Sequence, residues 1–187
     1  NFDHRIFDTE QGTGKYIRSN ENDDQETDGN SLTAFNTTGF TLGSSGAANM
    51  DPVEYSSWTF RKAPGFFDVV TYTGNGGNQS ISHSLGCVPG LILVKQTDEV
   101  ENWAVYHRNT TSTDPEDKYL VLNTNAASGG GGDFWNSTKP TANSFSVGHP
   151  NGSPYGNNQT NGNNKNYVAY VFAGGESTAA TARSVYF

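Results

Sequence analysis

The chain repeats itself, and the repeat constrains its architecture more than any other feature. His4-Arg5 recurs as His107-Arg108, Lys15-Tyr16 as Lys118-Tyr119, and Asn20 and Asn22 as Asn123 and Asn125, all at one offset of 103. Further on, Phe35-Asn36 matches Trp135-Asn136, and Phe40-Thr41-Leu42-Gly43 matches Phe145-Ser146-Val147-Gly148. Tyr55, Trp58 and Phe60 match Tyr167, Tyr170 and Phe172. The offset moves to 100 and then to 112, and each move falls in a Gly/Asn-rich loop, where insertions are tolerated. A second copy spanning 66–174 is therefore expected to be complete. The first, over 1–63, is expected to be partial, because it starts at the equivalent of Ala104. The counterpart of Phe66–Trp103 would precede it. Pro64-Gly65 reads as a linker, and 175–187 as a small-residue linker followed by the first strand of a further domain.

Each copy reads as β structure. Apolar residues at helical spacing are interrupted everywhere by Gly, Asn or Thr. Short β-branched and aromatic runs, bounded by Gly, Asn, Asp or Pro, predict strands at Lys15–Ser19, Gly39–Leu42, Tyr55–Lys62, Phe67–Tyr72 and Gly90–Gln96. The same pattern predicts strands at Trp103–His107, Lys118–Leu122, Ser144–Val147 and Asn166–Ala173. Leu91-Ile92-Leu93-Val94 is continuous and predicts burial on both faces, whereas Tyr55–Phe60 and Tyr167–Phe172 alternate and predict one wet face. The expected fold is all-β: antiparallel sandwich modules of jelly-roll or lectin-like type, one partial and one complete, with roughly seven to nine strands each. Gly74-Asn75-Gly76-Gly77 reads as a hairpin turn, while Ser128–Gly132 and Asn151–Asn166 read as loops.

Charge and composition then exclude function classes. A net charge of −8 opposes binding to nucleic acid through phosphate neutralisation. No apolar run approaches the ~18 residues a membrane-spanning helix needs, so no membrane insertion is expected. A single Cys, Cys87, excludes an intramolecular disulfide framework and multi-Cys zinc sites. No phosphate-cradling or dinucleotide motif and no nucleophile elbow is present, so neither an enzyme nor a cofactor is expected.

Four groups of residues carry chemistry worth weighing. His4-Arg5 and His107-Arg108 fit recognition of a sugar or carboxylate, but equally a hydrogen-bonded strand-end corner needed by both copies. Asp24, Glu26, Asp28 and Gly29 resemble the first half of a calcium loop. The glutamate expected at loop position twelve is replaced by Phe35, so a solvated loop is the expectation and no metal is assigned. Asp114, Glu116 and Asp117 suggest paired carboxylates of glycoside hydrolysis, against which stands a Thr/Ser/Pro turn with no apolar pocket. Phe35, Phe134, Trp135 and Tyr155 lie in or beside polar loops. Exposed aromatics stack on sugar rings, which makes Trp135 and Tyr155 the candidate glycan contacts; the alternative is packing beneath the loops.

Trp58-Thr59-Phe60-Arg61-Lys62-Ala63-Pro64-Gly65-Phe66-Phe67-Asp68-Val69-Val70-Thr71-Tyr72-Thr73-Gly74 resembles a junction repeated in large structural proteins of marine bacteriophages. So does Ile81-Ser82-His83-Ser84-Leu85-Gly86-Cys87-Val88-Pro89-Gly90-Leu91-Ile92-Leu93-Val94-Lys95, followed by Asn102-Trp103 and Tyr106-His107-Arg108. The resemblance is to a β-sandwich module of virion and tail-fibre-type proteins, often in tandem and beside concanavalin-like, laminin-G-like lectin domains. It implies a structural role at the virion surface, in a tail fibre or related appendage, with host-surface attachment as its use. Alternatives are a lectin-like module of a phage or bacterial adhesin, and a head decoration or capsid-fibre protein. The implied partners are other virion proteins, further copies of itself in a homo-oligomer such as a trimer, and a host surface glycan. Cys87 departs from the family, which places a small or polar residue there.

Overall fold

The computed structural model describes residues 3–130, 132, 134–149 and 158–175. It is almost entirely β, and its sheets are antiparallel. The first copy supplies β1 (Arg5–Ile6), β2 (Lys15–Arg18), β3 (Glu26–Thr27), β4 (Leu32–Asn36) and β5 (Gly39–Leu42). The second supplies β6 (Phe67–Thr73), β7 (Gln79–Ser82), β8 (Pro89–Gln96), β9 (Ala104–His107) and β10 (Lys118–Val121). It continues with β11 (Gly129–Gly130), β12 (Ser144–Val147), a one-turn helix α1 (Asn158–Asn161) and β13 (Asn166–Ala173).

The centre is a six-stranded sheet in the order β11-β10-β9-β8-β13-β6, made wholly from the second copy. Alternation along its strands sorts side chains to two faces. Ile92, Val94, Tyr106, Tyr167, Ala169 and Val171 point to one, where the paired strands β7 and β12 cover them with Ile81, Phe145 and Val147. Phe67, Val69, Leu93, Val168, Tyr170 and Phe172 point to the other. Ile17 of β2 and Ile6 of β1 lie against that second face, so a ribbon from the first copy closes the core of the second.

Burial on both faces corrects the expectation for Tyr167–Phe172. All of Tyr167 to Val171 is buried, because the β1–β2–β3 ribbon covers what alternation marked as the wet side. The ribbon is fastened by polar bonds as well as by Ile17. The Trp103 indole N–H donates to the Arg18 carbonyl at 2.8 Å, Gln25 N–H to Thr97 O at 2.9 Å, and Glu101 N–H to Asn22 O at 2.9 Å. Asp8 is a buried hub: it accepts the Tyr170 hydroxyl at 2.7 Å together with the backbone N–H groups of Glu10 and Gln11. The core thus runs across residues 64–65.

The repeat survives as geometry. β2 and β10 are offset by 103, as are β3 and β11, and the two ribbons share one register: Lys15↔Thr27 corresponds to Lys118↔Gly130, and Tyr16↔Glu26 to Tyr119↔Gly129. The outer strand has slid. Arg5↔Arg18 in the first copy stands where Ala104↔Val121 stands in the second, an offset of 99 across the first members. The four-residue slip is even, so each side chain keeps its face. Asn20 and Asn123 mark it, since Asn20 Oδ1 accepts from His4 N–H at 2.8 Å and Asn123 Oδ1 from Trp103 N–H at 3.0 Å.

Two further expectations are corrected. Gly74-Asn75-Gly76-Gly77 is not a hairpin turn, because β6 pairs with β13 and β7 with β12. It is a crossover between sheets, clamped by buried Asn161, whose side chain donates to Asn75 Oδ1 at 3.0 Å and to Gly77 O at 2.6 Å. And Tyr55–Lys62, predicted as a strand, joins no sheet. Its counterpart β13 is the strand between β8 and β6. In the first copy no such neighbours flank it among the described residues, and an extended segment without a ladder is not a strand.

Candidate interaction surface

The aromatic residues of the first copy form the most distinctive surface. Each has a counterpart inside the second copy. Trp58 is 90% exposed, and its counterpart Tyr170 is 5% exposed. Tyr55 and Phe60 are exposed, against a buried Tyr167 and a half-buried Phe172. Phe35 and Phe40, cross-strand partners on β4 and β5, are also exposed, whereas Trp135 and Phe145 are core.

This surface has a frame. The Arg61 guanidinium donates to the Thr37 carbonyl at 3.0 Å, tying the 53–62 segment to the β4–β5 turn. The Tyr55 hydroxyl donates to Gly46 O at 3.2 Å and accepts from Met50 N–H at 3.2 Å. Lys62 bridges Glu10 at 2.9 Å and buried Asp68 at 3.1 Å; desolvation is the largest single influence and lowers the Lys62 pKa, but the two carboxylates together outweigh it and raise it. The Phe60 ring reaches Phe66, Phe67 and Phe172, with centroids 6.2, 5.6 and 5.7 Å away. The segment is thus anchored at its C-terminal end, while Trp58 stands in solvent.

The residues singled out by sequence fall elsewhere. Trp135 is 2% exposed and packs edge-on to Tyr106 at 5.8 Å. Its ring offers no face to a sugar and belongs to the core, as the packing alternative had it. Phe134 is buried too, stacked on Tyr119 at 3.8 Å. Tyr155 lies outside the described residues. The glycines of Ser128–Gly132 explain why Trp135 looked exposed: a Cβ on Gly129 would come within 2.2 Å of the Tyr119 ring, which folds over this strand to reach Phe134. Gly129, which reads as part of a loop, is here a close approach to the Tyr119 ring.

The His-Arg pairs do different things in the two copies, because the slip of β1 removes their equivalence. Arg5 lies 3.9 Å over the Tyr16 ring and 3.4 Å from Asp28. His107 closes a turn instead, accepting from Asn109 N–H at 3.3 Å, and Arg108 N–H donates to Gly90 O at 3.0 Å. The acidic loop is taken up by cations of the protein itself. Arg18 reaches Asp23 and Glu26, both at 2.5 Å, and Ser45 donates to Asp28, which helps hold that carboxyl below its usual range. No group of three or more ligating side chains that could hold a metal occurs among the described residues. Glu116 corrects the picture of a solvated turn: Pro115–Asp117 is a 3₁₀ turn with Glu116 turned inward, 3.7 Å from the Lys139 ammonium.

Two features had no sequence signal. Lys95 is wholly buried on the face covered by the ribbon, donating to the Gln96 carbonyl at 2.7 Å. Burial pushes its pKa down to about 8, against the pull of Glu101, Asp24, Asp23 and Asp98. A polar crevice of about 420 Å³ lies between the ribbon and the sheet edge, lined by Glu10, Gln11, Lys15, Thr71 and Asn166 among others. Among the described residues no helix is long and apolar enough to cross a membrane. No curated protein and no solved structure matches the chain. One family matches it, over residues 1–180, and that match spans both copies and the segment between them: the chain belongs to the family described as a domain of unknown function (DUF7483).

Proposed function

We propose that the chain is a structural module of a bacteriophage virion appendage, a tail fibre or related surface protein. In this reading it stacks with further modules into a stiff arm that contributes to host-surface attachment. The observation that carries the reading is the contrast between copies: one closed around a core, the other presenting the same aromatic positions to solvent. That is the surface of a unit built to continue into a neighbour. The central sheet, with β7 and β12 over one face and the ribbon over the other, is best read as a lectin-like sandwich. Burial on both sides suits a load-bearing spacer, and the resemblance to tandem phage modules points the same way. Several copies in a homo-oligomer would add avidity to weak single contacts.

The test is electron microscopy of the phage particles, labelled with antibody raised against residues 1–187. Label along tail appendages is the expected result. Label confined to the head would replace this reading with a head-decoration role, and particles without label would overturn a virion role. One observation favours a second reading, glycan binding: among the described residues the Trp58 ring is the most exposed large apolar side chain. Saturable binding on a glycan array, lost in Trp58→Ala, would establish it.

A further inference from the structure

β6 is an edge strand of the central sheet, paired only with β13. Along such an edge, alternate residues turn both backbone groups outward. The outward set is Phe67, Val69, Thr71 and Thr73, because the even-numbered positions face β13: Ala173 N–H donates to Phe66 O at 2.9 Å, and Gly74 N–H to Lys165 O at 2.8 Å. The protein itself occupies most of that edge. Phe67 exchanges both of its bonds with Ala63. Val69 gives its N–H to Asp68 Oδ1 at 2.9 Å, and its C=O accepts from Lys62 Nζ at 3.1 Å. Thr73 O accepts from the Gln79 side chain at 3.3 Å. Thr71 alone of the four keeps both its N–H and its C=O without a partner among the described residues.

Thr71 stands where two crevices meet. The crevice of about 420 Å³ between the ribbon and the sheet edge reaches it from one side. A second, of about 290 Å³ and lined by Lys62, Asp68 and His83 among others, reaches it from the other. The larger one is of the size that holds a small molecule, about 300–1,000 Å³. Its walls carry further polar groups without partners. Gln11 Oε1 is buried and accepts no hydrogen bond. The Gln25 side-chain amide and the Lys15 ammonium, both on the ribbon, make no hydrogen bond or ion pair among the described residues. The Glu10 carboxylate is already taken by Lys62.

We propose that Thr71 and the larger crevice form a saccharide-binding site, in which two neighbouring hydroxyls of one sugar ring meet the Thr71 backbone. One hydroxyl accepts from Thr71 N–H and the next donates to Thr71 O, a pairing open to a diol because a hydroxyl can do either. Gln11 Oε1 and the Gln25 amide take further hydroxyls across the crevice. An added peptide strand does not fit this edge. It needs open backbone groups at successive outward residues, and Val69 on one side and Thr73 O on the other are stopped by side chains, the usual way of closing an edge. A ligand that engages a single residue does fit. The inference gives the host-surface attachment proposed above a ligand class, and rests on that reading for its use. The site is separate from Trp58, which lines neither crevice.

The experiment titrates the nitrogen-15-labelled chain with methyl α-mannoside, methyl β-galactoside, methyl β-glucoside and glucuronate, and follows amide signals by NMR. Saturable shifts of the Thr71 amide and the Gln25 side-chain amide with at least one of these sugars are the expected result, with no shift for the same sugar when its hydroxyls are methylated. Thr71→Pro removes the outward N–H at an edge position where proline is tolerated, and should weaken binding about tenfold, as for one lost hydrogen bond. Gln25→Trp fills the crevice and should abolish the shifts, which keeps the test sharp if the proline variant does not fold. Slow exchange in 166–173 reports that a variant is folded. The proposal falls if none of the four sugars moves the Thr71 amide, if the methylated sugar binds equally well, or if a folded variant binds as the parent does. Shifts confined to the surroundings of Trp58 would also overturn it and assign glycan binding to that ring. None of these results bears on antibody labelling of virions, so this inference can fail while the virion role stands.

Discussion

The two copies place similar residues at matching positions and treat them in opposite ways. Phe145 is 1% exposed and Phe40 36%; Tyr170 is 5% exposed and Trp58 90%. Local sequence does not account for the difference, since both segments alternate and both are rich in aromatics. Neighbours account for it. β12 has β7 beside it and a sheet beneath it, whereas β5 has only β4. β propensity measures fitness for a pleated, half-buried surface, and a segment becomes a strand only where such a surface receives it.

The largest expected effect separates the copies directly. Phe145→Ala should cost about 3–5 kcal/mol, the range for removing a buried aromatic ring. Phe40→Ala should cost about 0.5 kcal/mol or less, as for a surface change. Urea denaturation monitored by circular dichroism reads both, and equal costs would break the comparison.

The next effect tests whether the ribbon seals the sheet. Lys95→Met should stabilise the protein at pH 7 by about 2–3 kcal/mol. The sign follows from protonation. With its pKa at about 8 in the fold, Lys95 holds its proton less readily than in the unfolded chain. The unfolded state then binds more protons between pH 8 and the ordinary lysine range, so stability rises with pH across that window. Above pH 10 the buried tyrosines oppose it: burial raises Tyr106 to about 12, and their folded forms keep protons that the unfolded chain releases. The gain from Lys95→Met should therefore shrink as pH rises from 8 to 10. A constant gain would mean the ribbon leaves Lys95 wet.

Gly129→Ala should cost about 1–3 kcal/mol, because the added methyl meets the Tyr119 ring. The equivalent position in the first copy already carries a glutamate, Glu26, and its Tyr16 ring packs under Arg5 instead. Glu26→Ala should cost about 1 kcal/mol or less, as for an ion pair only half withdrawn from water. Tyr170→Phe should cost about 1 kcal/mol by removing a bond to Asp8, and Trp58→Phe, the smallest of these effects, should change nothing measurable.

Much of the fold was legible. Eight of the nine strands expected from sequence carry ladders, and their bounds move by about one residue at most. The short strands β1, β3 and β11 were not legible, because two residues hold no periodicity. β7 reads Gln-Ser-Ile-Ser, with only Ile81 inward, and gave too weak a signal. The surface was harder to read. Trp135 follows a glycine run and looked like a loop aromatic, but Asn136 at φ 54° and Ser137 at φ 44° fold the chain back, and Asn136 N–H donates to Gly148 O at 3.0 Å. The repeat aligns Tyr55, Trp58 and Phe60 with Tyr167, Tyr170 and Phe172, and among the described residues only the second set lies in a sheet.

The most direct test of this account is amide hydrogen exchange in the unmodified chain, comparing residues 53–62 with 166–173. The account predicts fast exchange across 53–62 and slow exchange, governed by global unfolding, across 166–173. Equal, strong protection of both segments in a monomer would contradict it, because the first copy would then close on its own.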